Sequence, residues 1–177
     1  MSPRADTIEL SQTELRAITS FAAACARTAL ATFNNEHPED LRPQEAIETA
    51  EAFAAGGNRG AALRTTAWAA HQAAREVASP PVRDAARAAA HAAGSAYLHP
   101  LADAHQVKHV LGAAAHAARA LELANSDERA VGEEQVERAQ CEASPEVRAV
   151  LSRLPSAPAG GGRVGELMRR LDLALRS

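Results

Sequence analysis

The stretch Gly60–Ala124, GAALRTTAWAAHQAAREVASPPVRDAARAAAHAAGSAYLHPLADAHQVKHVLGAAAHAARALELA, decides the fold. Its alanine runs are broken by proline at Ser79-Pro80 and His99-Pro100, so the spacing predicts three helices. Alanine loses no side-chain entropy in a helix, and its small side chain lets helix axes approach closely. Six of the seven histidines (His71, His91, His99, His105, His109, His116) lie here, with the only tryptophan, Trp68, and the only tyrosine, Tyr97.

In the first of these helices, about Ala61–Ala78, Leu63, Ala67, Ala70, Ala74 and Val77 form the inner stripe, with Trp68 and His71 on its flank. In the second, Val82, Ala85, Ala89, Ala92 and Ala96 face inward and His91 stands to one side. The third, about Leu101–Ala124, has the stripe Val107, Val110, Ala114, Ala117, Leu121 and Ala124. A second stripe (His105, His109, Gly112, His116) lies roughly 120° away at 100° of turn per residue. It is exposed in a two-layer bundle and packed if the helix is central; both remain open.

Outward from this centre, residues 1–10 read as a mobile polar arm. Ser11-Gln12-Thr13-Glu14 is a capping box, followed by Leu15, Ile18, Ala22, Cys25, Ala29 and Phe33 at bundle spacing. Asn34–Pro38 ends that helix, and Pro43 opens a shorter one that buries Ile47, Ala50, Phe53 and Ala54. Gly56–Gly60 lacks the Lys-Ser/Thr of a phosphate loop and reads as a turn. Downstream, residues 127–142 suit a solvated helix, and Ser144-Pro145-Glu146 restarts a helix with Val147, Val150, Leu151 and Leu154 on one face.

Pro155–Gly162 has a linker's composition. Val164, Leu167, Met168, Leu171 and Leu175 then make a short amphipathic helix, too short to stand alone in water. It must dock on its own domain, on a second copy as a homodimer, or on another partner. The fold class is therefore all-α: an alanine-rich multi-helix bundle (residues 11–154) with a flexibly linked C-terminal amphipathic helix (163–177).

A net charge of −3 argues against nucleic acid or an anionic membrane surface as partner. No apolar run approaches the ~20 residues of a membrane span, and the opening Met-Ser-Pro-Arg-Ala-Asp lacks a signal-peptide pattern. The cytoplasm is the expected compartment. Cys25 and Cys141 fit no metal or redox spacing and read as reduced thiols.

Chemically, the histidines are the candidates. His105 and His109, four apart, could share a metal with His71 or His91. The HxxxH pattern has no intervening Glu, so no metal and no cofactor is assigned. Alternatively, His71 and His91 act as acid and base in a pocket between helices, with Trp68, Tyr97, His105 and His109 as its ligand-binding wall. Arg64, Arg75, Arg83, Arg87 and Arg119 alternate with acids such as Asp84 and read as solvated surface.

Several segments together carry a family resemblance: Cys25-Ala26-Arg27-Thr28-Ala29-Leu30, the His37–Ala50 turn (HPEDLRPQEAIETA), Ala67–Arg75, Ala86–Ala96 and His105–Ala120. Over roughly Leu10–Leu154 the chain resembles the bacterial Imm-5-like immunity protein family. The resemblance implies binding and neutralisation of a cognate toxin protein without chemistry of its own. It carries over no catalytic residue. The alternative on the residues alone is a small-molecule-binding protein or enzyme, working by acid–base or cyclisation chemistry.

Overall fold

The computed structural model describes residues 6–177; the first half of the polar arm, residues 1–5, lies outside them. Ser11 closes the capping box: its hydroxyl accepts from the Glu14 amide at 3.1 Å, and the Glu14 carboxylate accepts from the Ser11 amide at 2.8 Å. From it runs α1, Gln12–Glu36, followed by α2, Arg42–Ala54, with proline in its first turn. Next come α3 (Ala61–Glu76) and α4 (Pro80–Gly94), then α5 (Val107–Ala124). The chain finishes with α6 (Arg129–Glu142), α7 (Pro145–Ser152) and α8 (Gly162–Arg176).

Helices α4 and α5 pack side by side at the centre, with α1 laid against both. On one flank α2 and α3 complete the bundle; on the other, α6 and α8 cover α5. This arrangement explains why α4 and α5 carry alanine almost all the way round. Each meets neighbours on several sides, and small residues let all of them approach. Bulk comes from elsewhere: Ile18 and Phe33 of α1, Ile47 and Phe53 of α2, and Leu63 of α3 are fully buried around the alanine seams. Being central, α5 also buries Gly112 and half-buries His109 and His116 of its second stripe.

Two local features differ from the sequence reading. Leu101–Asp103 is not helical. Instead Leu101 makes an isolated antiparallel bridge to Thr7, the Ile8 amide donates to the Pro100 carbonyl at 3.1 Å, and the Ala102 amide donates to Asp6 at 2.7 Å. These bonds tie down residues 6–8 of the expected mobile arm, and Ile8 and Leu10 pack on the core. The helix starts later because the Asp103 carboxylate accepts from the His105 amide at 2.7 Å, capping a 3-10 turn that leads into α5.

The second difference is the linker before the tail; the tail helix itself takes one of the three places expected for it. Helix α8 lies on its own domain, burying Leu167, Met168, Leu171 and Leu175 against α5, α6 and α7. The apolar face that could have seated a second copy is thus used within the chain. The preceding glycine- and proline-rich segment is held at several points. Arg169 donates to the carbonyls of Pro158 (3.0 Å) and Gly160 (2.7 Å), and the buried Asp172 accepts from the Ala157 amide at 2.9 Å. Arg176 reaches back to the carbonyls of Leu154 and Pro155. Glycine is required at 165, where a Cβ would sit 2.0 Å from the Gly160 oxygen.

Candidate functional site

On α4, Asp84, Arg87 and His91 fall at intervals of three and four, which puts them on one face. On α5, Lys108, Gly112 and His116 do the same at intervals of four. The two faces meet. The His116 ring stacks on His91 with centroids 5.0 Å apart, and His71 of α3 approaches His91 edge-on at 5.8 Å. Three imidazoles thus form a row across α3, α4 and α5. Gly112 makes room for it, since a Cβ there would lie 2.7 Å from His91 Nδ1.

Each ring has a different environment. Burial holds His91 well below the ordinary histidine value of 6.5, and the charges of His116, His71, His109 and Arg87 act in the same direction. Partial desolvation, then His116 and Arg87, lowers His71, which keeps an exposed edge. His116 Nδ1 lies 2.7 Å from the Asp84 carboxylate, a contact that orients the ring and leaves Nε2 facing away from that partner. Asp84 is itself buried, with Arg87 at 3.9 Å as its other charged neighbour.

Beside this row opens a cavity of about 370 Å³ between α4, α5 and the tail. Arg87, His91, Lys108 and His116 line one side. Pro158–Gly161 and the first turns of α8, with Val164 and Met168, line the other. An oriented imidazole facing a half-open cavity beside two cations can bind an acidic group.

The expected site residues do not gather in one place. His71 and His91 come together. His109 instead approaches His99, with centroids 6.4 Å apart, and is lowered by burial and by the His99 charge. Trp68 does not wall a pocket: it points outward from α3, 63% exposed, because the inner face of that helix is taken by Leu63, Ala70 and Ala74. Tyr97 serves the fold, donating its hydroxyl to the Gly60 carbonyl at 2.8 Å under the guanidinium of Arg64, 4.4 Å from its ring centroid. His105 is exposed beside the Asp103 cap. Among the described residues, no group of three or more His, Cys, Asp or Glu side chains is placed to hold a metal ion.

Asp84, Arg87, Lys108 and His116 were not singled out as a site from the sequence. The available signal was their spacing. Asp84, Arg87 and His91 are three of only four polar side chains in an otherwise alanine- and proline-rich helix, and they share one face.

No helix among the described residues is long and apolar enough to cross a membrane. No curated protein and no solved structure matches the chain. One protein-family model does, described as Imm-5 like putative immunity protein, across residues 9–145, which takes in α1 to α6 and leaves the tail outside. The protein belongs to the Imm-5-like immunity protein family.

Proposed function

We propose that this protein is an immunity protein that binds and neutralises a partner protein through the outer face of α3. The reading is carried by one observation: the only tryptophan in the chain, Trp68, is exposed on that face between arginines without carboxylate partners. Arg64, Trp68, His71 and Arg75 follow at offsets of four, seven and eleven, which return to the same side of a helix. All four are exposed, and among the described residues neither Arg64 nor Arg75 forms an ion pair. Arg64 is held in place by Tyr97 beneath it.

A large exposed aromatic costs solubility unless something covers it, and tryptophan and arginine dominate the energetics of protein interfaces. The cationic rim suits an acidic partner surface, which speeds encounter and fixes register. The face also lies inside the family-matched residues.

The test is protection from toxicity. Proteins captured from source cells by the wild-type chain, but not by Trp68→Ala or Arg64→Glu, are expressed in a host that they poison. Co-expressed wild type restores growth and both variants fail to. Rescue by Trp68→Ala at the wild-type level, or no captured protein that the wild type neutralises, would overturn the reading.

A further inference from the structure

We propose that the cavity between α4, α5 and the tail is a binding site for a small organic molecule carrying a compact oxyanion, a phosphate or a carboxylate. This inference goes beyond partner binding and does not use the outer face of α3.

The lining of the cavity specifies the charge of its ligand. Arg87 and Lys108 both face it, and no carboxylate is among its lining residues. The Asp84 carboxylate is engaged by His116 at 2.7 Å and only distantly by Arg87, at 3.9 Å. The Lys108 side chain has no hydrogen bond or ion pair among the described residues. Two cations brought to one cavity repel each other, and an oxyanion converts that repulsion into charge-assisted hydrogen bonds.

The imidazoles give direction as well as charge. Because His116 presents Nδ1 to Asp84, its Nε2 is the atom left for a ligand. The His91 ring also lines the cavity and has no hydrogen-bond partner among the described residues. It is positioned by ring contacts, stacked on His116 and met edge-on by His71.

Opposite the cations, Gly160 and Gly161 carry positive φ values of 83° and 75°, a conformation that bares backbone without side chains. The remaining wall (Pro158, Val164, Met168) is apolar. An inorganic ion would leave that wall unused, whereas a small organic body fills it. About 370 Å³ lies within the usual range for small-molecule sites.

The experiment titrates the full-length protein separately with inorganic phosphate and with propionate. Ionic strength is held constant with sodium chloride, and the His116 and His91 ring signals are followed by NMR. The expected result is saturable movement of both rings with at least one probe. Affinity then falls by roughly tenfold in Arg87→Gln and again in Lys108→Gln, as expected for the loss of one charge-assisted contact each. Phosphate alone saturating, or propionate alone, supports the proposal and identifies the oxyanion.

Trp68→Ala, which leaves the cavity intact, binds like wild type, so loss of toxin protection and loss of oxyanion binding are separable. Both cation variants alter exposed side chains, and thermal unfolding checks that they are folded. The proposal is overturned if neither probe saturates, if chloride gives the same shifts, or if folded Arg87→Gln and Lys108→Gln bind as wild type does.

Discussion

The carboxylate of Glu122, fully buried on α5, is clamped by the guanidinium of Arg163 on α8, with Nε at 2.9 Å from Oε1. Arg119 adds a second donor at 2.9 Å, and Arg163 in turn pairs with Glu166 at 2.8 Å. Removing one partner of a buried pair strands a charge that water no longer solvates. Arg163→Ala is expected to lower stability by about 3 kcal/mol in urea unfolding and to speed proteolysis between residues 155 and 161. Unchanged proteolysis would show that the clamp does not hold the tail.

Gly132 of α6 is the space in which that carboxylate sits. A Cβ at 132 would lie 2.2 Å from Glu122 Oε1 and 2.5 Å from its Cγ. The side chain has no room to step aside, because two arginines fix it. Gly132→Ala is therefore expected to cost about 2–3 kcal/mol, at the upper end for overpacking, rather than bring the usual gain of alanine over glycine in a helix. Equilibrium denaturation decides between the two signs.

Leu167 of α8 is fully buried against the bundle. Leu167→Ala is expected to destabilise by about 2–5 kcal/mol if the tail unfolds together with the rest of the chain. A separate early transition for residues 155–177, seen by hydrogen exchange, would mean that the tail melts independently.

Stability should also depend on pH through the histidine row. His91 is held well below its ordinary value of 6.5 by burial, so the unfolded chain takes up a proton at that position before the folded chain does. The stabilisation is complete above about pH 6.5 and is lost as pH falls towards the lowered folded value. His71 and His109, lowered in the same direction, add to the slope. Urea midpoints measured from pH 8 to pH 5 should fall, and His91→Asn should flatten the decline. An equally steep decline in that variant would move the origin to the other rings.

The two cysteines line one trough of about 480 Å³ between α1, α5 and α6, but differ in reactivity. Burial pushes the Cys25 thiol up to about 12, whereas Cys141 is exposed. A thiol reagent at pH 8 should label Cys141 at once and Cys25 only in denaturant, as mass spectrometry of digests will show.

The helices were legible where their signals were local. The capping box at Ser11, the prolines at 43, 80 and 145 and the alternating stripes of α1 depend on neighbours a turn away. Chain placement was not legible in the same way. The stripe Leu167–Leu175 looks identical whether it will cover α5, a second copy or another protein. The site suffered from the same ambiguity. Asp84 and Arg87 on an alanine helix look like surface until the tail, some seventy residues later, folds over them. His91 could be picked from its isolation among alanines, but its stacking partner could not. His116 was one of three histidines on or just before α5, and only the rotation of that helix selects it.

Arg153, just after α7, pairs with Glu14 in the first turn of α1 and also donates to the carbonyl of Glu9. All the helices that pack on α1, namely α2, α4, α5 and α7, follow it in the chain. During synthesis α2 is the first to cover part of the α1 apolar stripe, and the N-terminal turn of α1 is closed by Arg153 only after 139 further residues. For a nascent chain, that interval is when α1 is open to chaperones and to misassembly, and it ends with a contact made from just beyond α7.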